Sequence, residues 1–186
     1  MVNLNSQGKI GSVDKSKDSH SGNISAMFVT PDYKEIITSS MDTLLKVWSV
    51  NNNHSTVDNV SDIITTKYGP ISNGLQDKTG QYYIFSHSQT NTSNLVNITV
   101  WQTDSKKGLV KIAENTPSEA HESNLTNLLF SKDQKYIISL SQSGQLRLWQ
   151  HKDFTMVDLL ASLSIGIVDV SMVVTDSNKL ILQSRK

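Results

Sequence analysis

The chain has 186 residues, 17 basic and 17 acidic side chains, no formal net charge and no cysteine. Balanced charge argues against a nucleic-acid footprint spread over the whole domain, and the missing cysteines exclude disulfide scaffolds and cysteine-based zinc sites. No apolar run approaches the roughly 18 residues needed to cross a bilayer, and the first 30 residues hold no apolar signal core. The expectation is an intracellular protein, cytoplasmic or nuclear, without membrane insertion.

Taken in order, the chain reads as short strands separated by polar turns. In residues 1–19, Val2 and Leu4 alternate as in a strand, and Ile10 and Val13 suggest a second one. These residues are expected either to complete a neighbouring unit or to lie disordered. Residues 20–67 form the first clear unit: ISAMFVT, a turn at Pro31-Asp32, EIITSS, a turn at Met41-Asp42, LLKVWSV, and an outer strand at Ile63–Thr66. Residues 68–115 form a degenerate second unit with ISNGLQ, YYIFSHS, VNITVWQ and an outer strand at Leu109–Ala113. It holds a polar insertion: Ser88, Gln89, Thr90, Asn91, Thr92, Ser93 and Asn94. Residues 116–164 form the third unit. In 165–186, Val168–Val174 and KLILQS resemble the first two strands of another unit, and no third strand with a tryptophan follows.

The units are repeats of one another. His20 to Trp48 aligns without a gap on His121 to Trp149, and nine of the 29 positions are identical. The two windows start 101 residues apart with Trp101 between them, which implies a period of about 50 residues. A His before the first strand, a Thr-Pro-Asp turn at Thr30–Asp32, the small-residue strand Thr38-Ser39-Ser40, Asp42 in the next turn and Trp48 late in the third strand resemble the WD40-repeat family. The resemblance implies an all-β fold of WD40-type β-propeller blades, about three full blades plus half units, in an incomplete or small ring. The usual Asp after the tryptophan is replaced by Ser49, Gln102 and Gln150.

The resemblance also implies a structural relay in which Trp48 bonds Thr38, Thr38 bonds His20 and His20 bonds Asp42. In the third unit the matching residues are His121, Ser139 and Trp149, with Ser143 in the Asp place. A buried indole N–H or imidazole needs a partner, so satisfying them in series would fix strand geometry. A hydrolase triad made of His20, Asp42 and Thr38 is the weaker reading, because such triads are recognised by geometry and role. Its orienting carboxylate is also missing from the third copy.

No other chemistry rises above background. His54, His87 and His151 make no metal-ligand spacing, and no phosphate-binding glycine motif is present. No catalytic residue, cofactor site or metal site is therefore assigned. The leading expectation is a non-catalytic protein–protein interaction scaffold, a subunit of a larger multiprotein complex, in which another chain completes the propeller. The inserted loop Ser88–Asn94 is the candidate partner-binding loop. Two alternatives remain, a scaffold in an RNA–protein assembly such as a ribosome-assembly particle and a propeller-type hydrolase. Direct nucleic-acid binding is not expected.

Overall fold

The computed structural model describes residues 2–4, 10–13, 18–50, 57–151, 154, 157–166 and 170–184. Runs of β-branched and aromatic residues between polar turns form strands throughout. The first four are β1 (Val2–Leu4), β2 (Ile10–Val13), β3 (Ile24–Val29) and β4 (Glu35–Ser40). Next come β5 (Leu44–Val50), β6 (Val57–Thr65), β7 (Ile71–Gln76) and β8 (Tyr82–His87). They are followed by β9 (Ile98–Asp104), β10 (Gly108–Glu114), β11 (Leu125–Phe130) and β12 (Tyr136–Ser141). The last four are β13 (Gln145–His151), β14 (Val157–Ser164), β15 (Val170–Val174) and β16 (Leu180–Ser184).

Among the described residues these strands make three four-stranded sheets, β3–β6, β7–β10 and β11–β14, and two two-stranded ones, β1–β2 and β15–β16. Each is an antiparallel meander in sequence order. One difference from the sequence expectation is β6, which starts at Val57 rather than Ile63 and follows β5 through two register shifts. Irregular register lets a long outer strand stay paired while it twists.

The turn after each innermost strand is the same device used four times. The fourth turn residue has positive φ at Tyr33 (60°), Gly80 (72°), Gln134 (58°) and Asn178 (58°). Its N–H donates back three residues, to Thr30, Asp77, Ser131 and Thr175 respectively. The half sheet β15–β16 thus starts as the full sheets do.

Successive sheets stack with a fixed sense. The face of the first sheet carrying Phe28, Ile37 and Val47 packs on the tryptophan face of the second, which carries Tyr83, Phe85 and Trp101. The opposite face of the second, with Ile84 and Val100, packs on the tryptophan face of the third, with Ile137 and Trp149. The opposite face of the third, with Ile138 and Leu140, meets Val170 and Met172 of the half sheet. Gly74 sets the first of these spacings. A Cβ there would lie 2.7 Å from Ala26 Cβ and 3.1 Å from Phe28 and Phe85 ring atoms.

The two ends of the stack remain exposed. Met27 and Val29 are 65% and 42% exposed on the tryptophan face of the first sheet. Val173 and Ile181, directly paired across the half sheet, are 60% and 54% exposed. Strand β1 pairs with β2, and β16 pairs with β15.

Candidate functional site

In the first sheet, β4 and β5 pair so that Ile36 faces Trp48 and Thr38 faces Lys46. Side chains directly opposite across a sheet share a face, so Thr38 lies within reach of the indole. Trp48 Nε1 donates to Thr38 Oγ1 at 2.8 Å, and His20 Nε2 lies 2.8 Å from the same oxygen. His20 Nδ1 lies 2.9 Å from Asp42. These partners fix the tautomer, with Nδ1–H donating to the carboxylate and Nε2 accepting from the Thr38 hydroxyl. Asp42 also accepts from the N–H groups of Ser21 and Leu44. Burial disfavours its charge, but the bonds from His20, Leu44 and Ser21 outweigh that and hold the carboxyl down at about 2.

The third sheet brings together His121, Ser139 and Trp149 in the same way. Trp149 Nε1 donates to Ser139 Oγ at 2.7 Å, and His121 Nε2 lies 2.7 Å from it. Here the chain of bonds stops. His121 Nδ1 is buried and has no hydrogen-bond partner. Ser143 bonds Ser123 and Ser141 instead. Burial, reinforced by the neighbouring Arg147 charge, pushes the His121 imidazole down to about 4.

Sequence reasoning missed the relay of the second sheet. Phe85 occupies the place of Thr38 and faces Thr99. Thr99 lies two residues before Trp101, accepts its indole N–H at 2.9 Å, and lies 2.9 Å from His87 Nε2. The hydroxyl has therefore moved across the strand pair, and the histidine comes from β8. Burial pushes His87 down to about 4. The only signal in the sequence was a threonine two residues before a tryptophan.

A second missed feature sits at the positions matching Thr99, namely Lys46 and Arg147. Both are buried. Lys46 Nζ donates to the carbonyls of Asp18 and Ser19, and Arg147 donates to that of Glu119. Each cation ties down the segment that delivers the relay histidine.

The inserted loop lies between β8 and β9, on the same edge of the sheets as the histidine loops. Gln89 N–H donates to Asn124 Oδ1, and Gln89 Nε2 donates to the carbonyls of Glu122 and Asn94, each at 2.7 Å. A bridge between Thr90 and Ser93 closes the loop tip, where Asn91 and Thr92 are exposed and Ser93 is half-buried. Ser88, buried at the base, donates its N–H to Pro70. The insertion is thus fixed to the His121–Asn124 loop of the next sheet.

Other candidate chemistry is dispersed. His151 bonds the Gln134 carbonyl and stacks on Phe154 at 3.8 Å. His54 lies outside the described residues. Among the described residues no three metal-ligating side chains converge, and no helix is long and apolar enough to cross a membrane. An open groove of about 550 Å³ runs between the first two sheets on the opposite edge, lined by Thr30, Asp32, Glu35, Thr103, Asp104 and Lys106 among others.

Comparison with known proteins agrees with this geometry. The family model described as WD domain, G-beta repeat matches residues 11–49 and 115–150. No curated protein matches the chain. Among solved structures, a candidate 6-phosphogluconolactonase from Bacteroides fragilis superposes with a TM-score of 0.72 at 11% identity, covering 99% of this chain and 56% of that one. A protein from Lactobacillus plantarum gives 0.73 at 12% identity, with 98% and 56% covered. The WD40 β-propeller domain of Doa1 gives 0.63 at 15% identity, with 89% and 49% covered. Identities this low speak to the fold alone, and the chain spans about half the length of each of these structures. WD40 repeats thus match the first and third sheets, and the chain as a whole has the fold of β-propeller blades.

Proposed function

We propose that this chain is a non-catalytic interaction scaffold and a subunit of a larger intracellular assembly, cytoplasmic or nuclear, with partners held on the edge that carries the histidine loops and the loop Ser88–Asn94. The observation that carries the reading is the fate of the reactive side chains. His20, Thr38 and Asp42 bond one another and the backbone, with the His20 and Asp42 side chains only 1% and 6% exposed. Such a constellation serves as a brace, not as a nucleophile with its base. Side chains on rigidly held loops are where binding residues concentrate, and the insertion is stapled to its neighbour while its tip stays accessible.

The units of this scaffold are blades at 20–67, 68–115 and 116–164 and a half blade at 165–186, with the strand pair β1–β2 assigned to a neighbouring blade. The exposed pairs Met27/Val29 and Val173/Ile181 support a further element of the reading, that other blades cover both ends of the stack. A chain completing the propeller is then one of the partners. Hydrolysis is the alternative, and the His20–Thr38–Asp42 set does not favour it, because those side chains are buried and bonded to one another.

The test is affinity purification of the chain beside a variant in which the exposed tip residues Asn91 and Thr92 are both replaced by glutamate and the bonded Ser88 and Gln89 are kept. Loss of partner chains from the variant, with its thermal midpoint unchanged, is the expected result. Equal recovery of partners from both forms overturns the assignment of this edge.

A further inference from the structure

Two buried side-chain nitrogens among the described residues make no hydrogen bond, His121 Nδ1 and Arg147 Nε. Both belong to the third blade. They flank Ser139, which is bonded to His121 Nε2 and lies directly across the strand pair from Arg147. In the first blade the matching imidazole nitrogen meets the Asp42 carboxylate at 2.9 Å. The matching residue in the third blade is Ser143. Its hydroxyl is turned to Ser123 and Ser141, and its side chain belongs to an exposed turn residue. The Gln145 side chain is near enough to favour a protonated His121 but makes no bond to Nδ1. The third blade therefore keeps the histidine that holds the first blade's carboxylate, here fully buried, and has lost the carboxylate, while a buried guanidinium lies across the strand pair from Ser139.

We propose that Ser143 is a phosphorylation site, and that its phosphate fills in the third blade the place of the Asp42 carboxylate in the first. A protein kinase would transfer the γ-phosphoryl group of a nucleoside triphosphate to Ser143 Oγ. The Oγ–P bond forms, the bond to the departing nucleoside diphosphate breaks, and the hydroxyl proton passes to the kinase's base. The product carries about two negative charges near neutral pH and three acceptor oxygens. The Arg147 charge acts on the His121 ring beside this turn, and the Glu119 and Glu122 carboxylates act on Arg147 in turn. A charge-assisted bond from the phosphate to the open His121 Nδ1 is the contact that would hold it. The modified turn would be tied to the His121–Asn124 loop, to which Gln89 of the insertion is bonded. Only this last consequence, a stiffer interaction edge, rests on the proposed function.

The test uses the whole chain with phosphoserine genetically encoded at position 143, beside the unmodified chain, Ser143→Asp and Ser143→Ala. The readouts are the NMR titration of the His121 ring and the thermal midpoint. Phosphoserine should raise the His121 titration by at least about one pH unit and raise the midpoint. Ser143→Asp, a shorter arm, should shift both less in the same direction, and Ser143→Ala should leave the titration unmoved. An unchanged titration with phosphoserine in place overturns the slot. In parallel, the folded chain is incubated with ATP and an extract of its source cells, and the tryptic peptide Tyr136–Arg147 is sequenced by mass spectrometry. Phosphate on Ser143 is expected; its absence, or its confinement to Ser139 or Ser141, overturns the site. Neither readout involves a partner chain, so failure here is distinct from failure of the scaffold reading.

Discussion

The first and third blades carry the same His–hydroxyl–Trp brace but close the turn between their second and third strands differently. In the first blade the turn runs through Asp42 and Thr43, with Thr43 at φ 71°. A β-branched residue in the left-handed region is strained. The Asp42 carboxylate, bonded to the Leu44 and Ser21 N–H groups and to His20, holds that turn in place. In the third blade the corresponding residues are Ser143 and Gly144, the latter at φ 75° without a side chain to strain. That turn needs no carboxylate to keep its shape. The loss of Asp is felt instead at His121, whose second nitrogen is left without a bond. One substitution pattern thus relaxes a backbone and leaves an imidazole unsatisfied.

The second blade shows that the brace is defined by the tryptophan rather than by one set of positions. The cross-strand pair Thr38/Lys46 in the first blade corresponds to Ser139/Arg147 in the third and to Phe85/Thr99 in the second. The hydroxyl sits on the second strand in the outer two cases and on the third strand in the middle one. Either position lies beneath the indole, because the two residues are opposite one another on one face. Phe85 uses the vacated place to join the core between the first two blades.

The largest expected effect tests how far the tryptophans differ in their surroundings. Trp149 is fully buried between two blades, whereas Trp48, itself only 8% exposed, lies on the outer face of the first blade, with no second blade packed on it among the described residues. Trp149→Ala should cost about 3–5 kcal/mol. Trp48→Phe, which removes one donor and leaves Thr38 without it, should cost about 1–3 kcal/mol. Urea denaturation measures both, and a Trp48→Phe loss within error breaks the brace in the first blade.

Thr99→Val isolates the transposed brace. It preserves shape and leaves the Trp101 N–H and His87 Nε2 without partners, for an expected loss of about 1–3 kcal/mol. A neutral result would mean that the second blade is held by packing alone.

Acid should separate the blades. His87 and His121 have folded-state values near 4, below the ordinary imidazole value of 6.5. A depressed histidine makes no demand above its unfolded value. As pH falls from about 6.5 to about 4 the unfolded state takes up protons that the native state refuses, so stability drops in that window. Asp42 acts lower. Its contribution is complete above the ordinary carboxylate value of 3.8 and is lost as pH falls toward about 2. Thermal midpoints measured from pH 7 to 3 should fall first from the second and third blades, and His87→Gln should flatten the upper part of the curve. An unchanged upper limb in that variant would remove His87 from the account.

The smallest effect concerns the turn. Thr43→Gly should stabilise by about 1 kcal/mol through release of left-handed strain, and Gly144→Thr should destabilise by a similar amount. Opposite signs in a thermal-shift comparison would show that the first-blade turn is not strained.

By itself the amino-acid sequence determined the repeat, the strand order and the brace of the first blade. These are local or fixed-spacing features: strand pattern is written every second residue, and His20, Thr38, Asp42 and Trp48 keep one offset from one another. It also located the insertion at 88–94 and the substitution at Ser143. Three things were decided only by the tertiary structure. The acceptor in the second blade could not be found, because Phe85 and Thr99 are neighbours only once the register of β8 and β9 is set. The role of Lys46 and Arg147 was likewise decided by the fold, because strand pairing turns them inward to backbone carbonyls that only the folded loops supply. The fixed sense of stacking, tryptophan face against the opposite face of the preceding blade, followed from side chains of different sheets meeting across the core. A chain records its own alternation, but which faces are brought together is settled by the burial of apolar area between sheets, to which distant segments contribute in common.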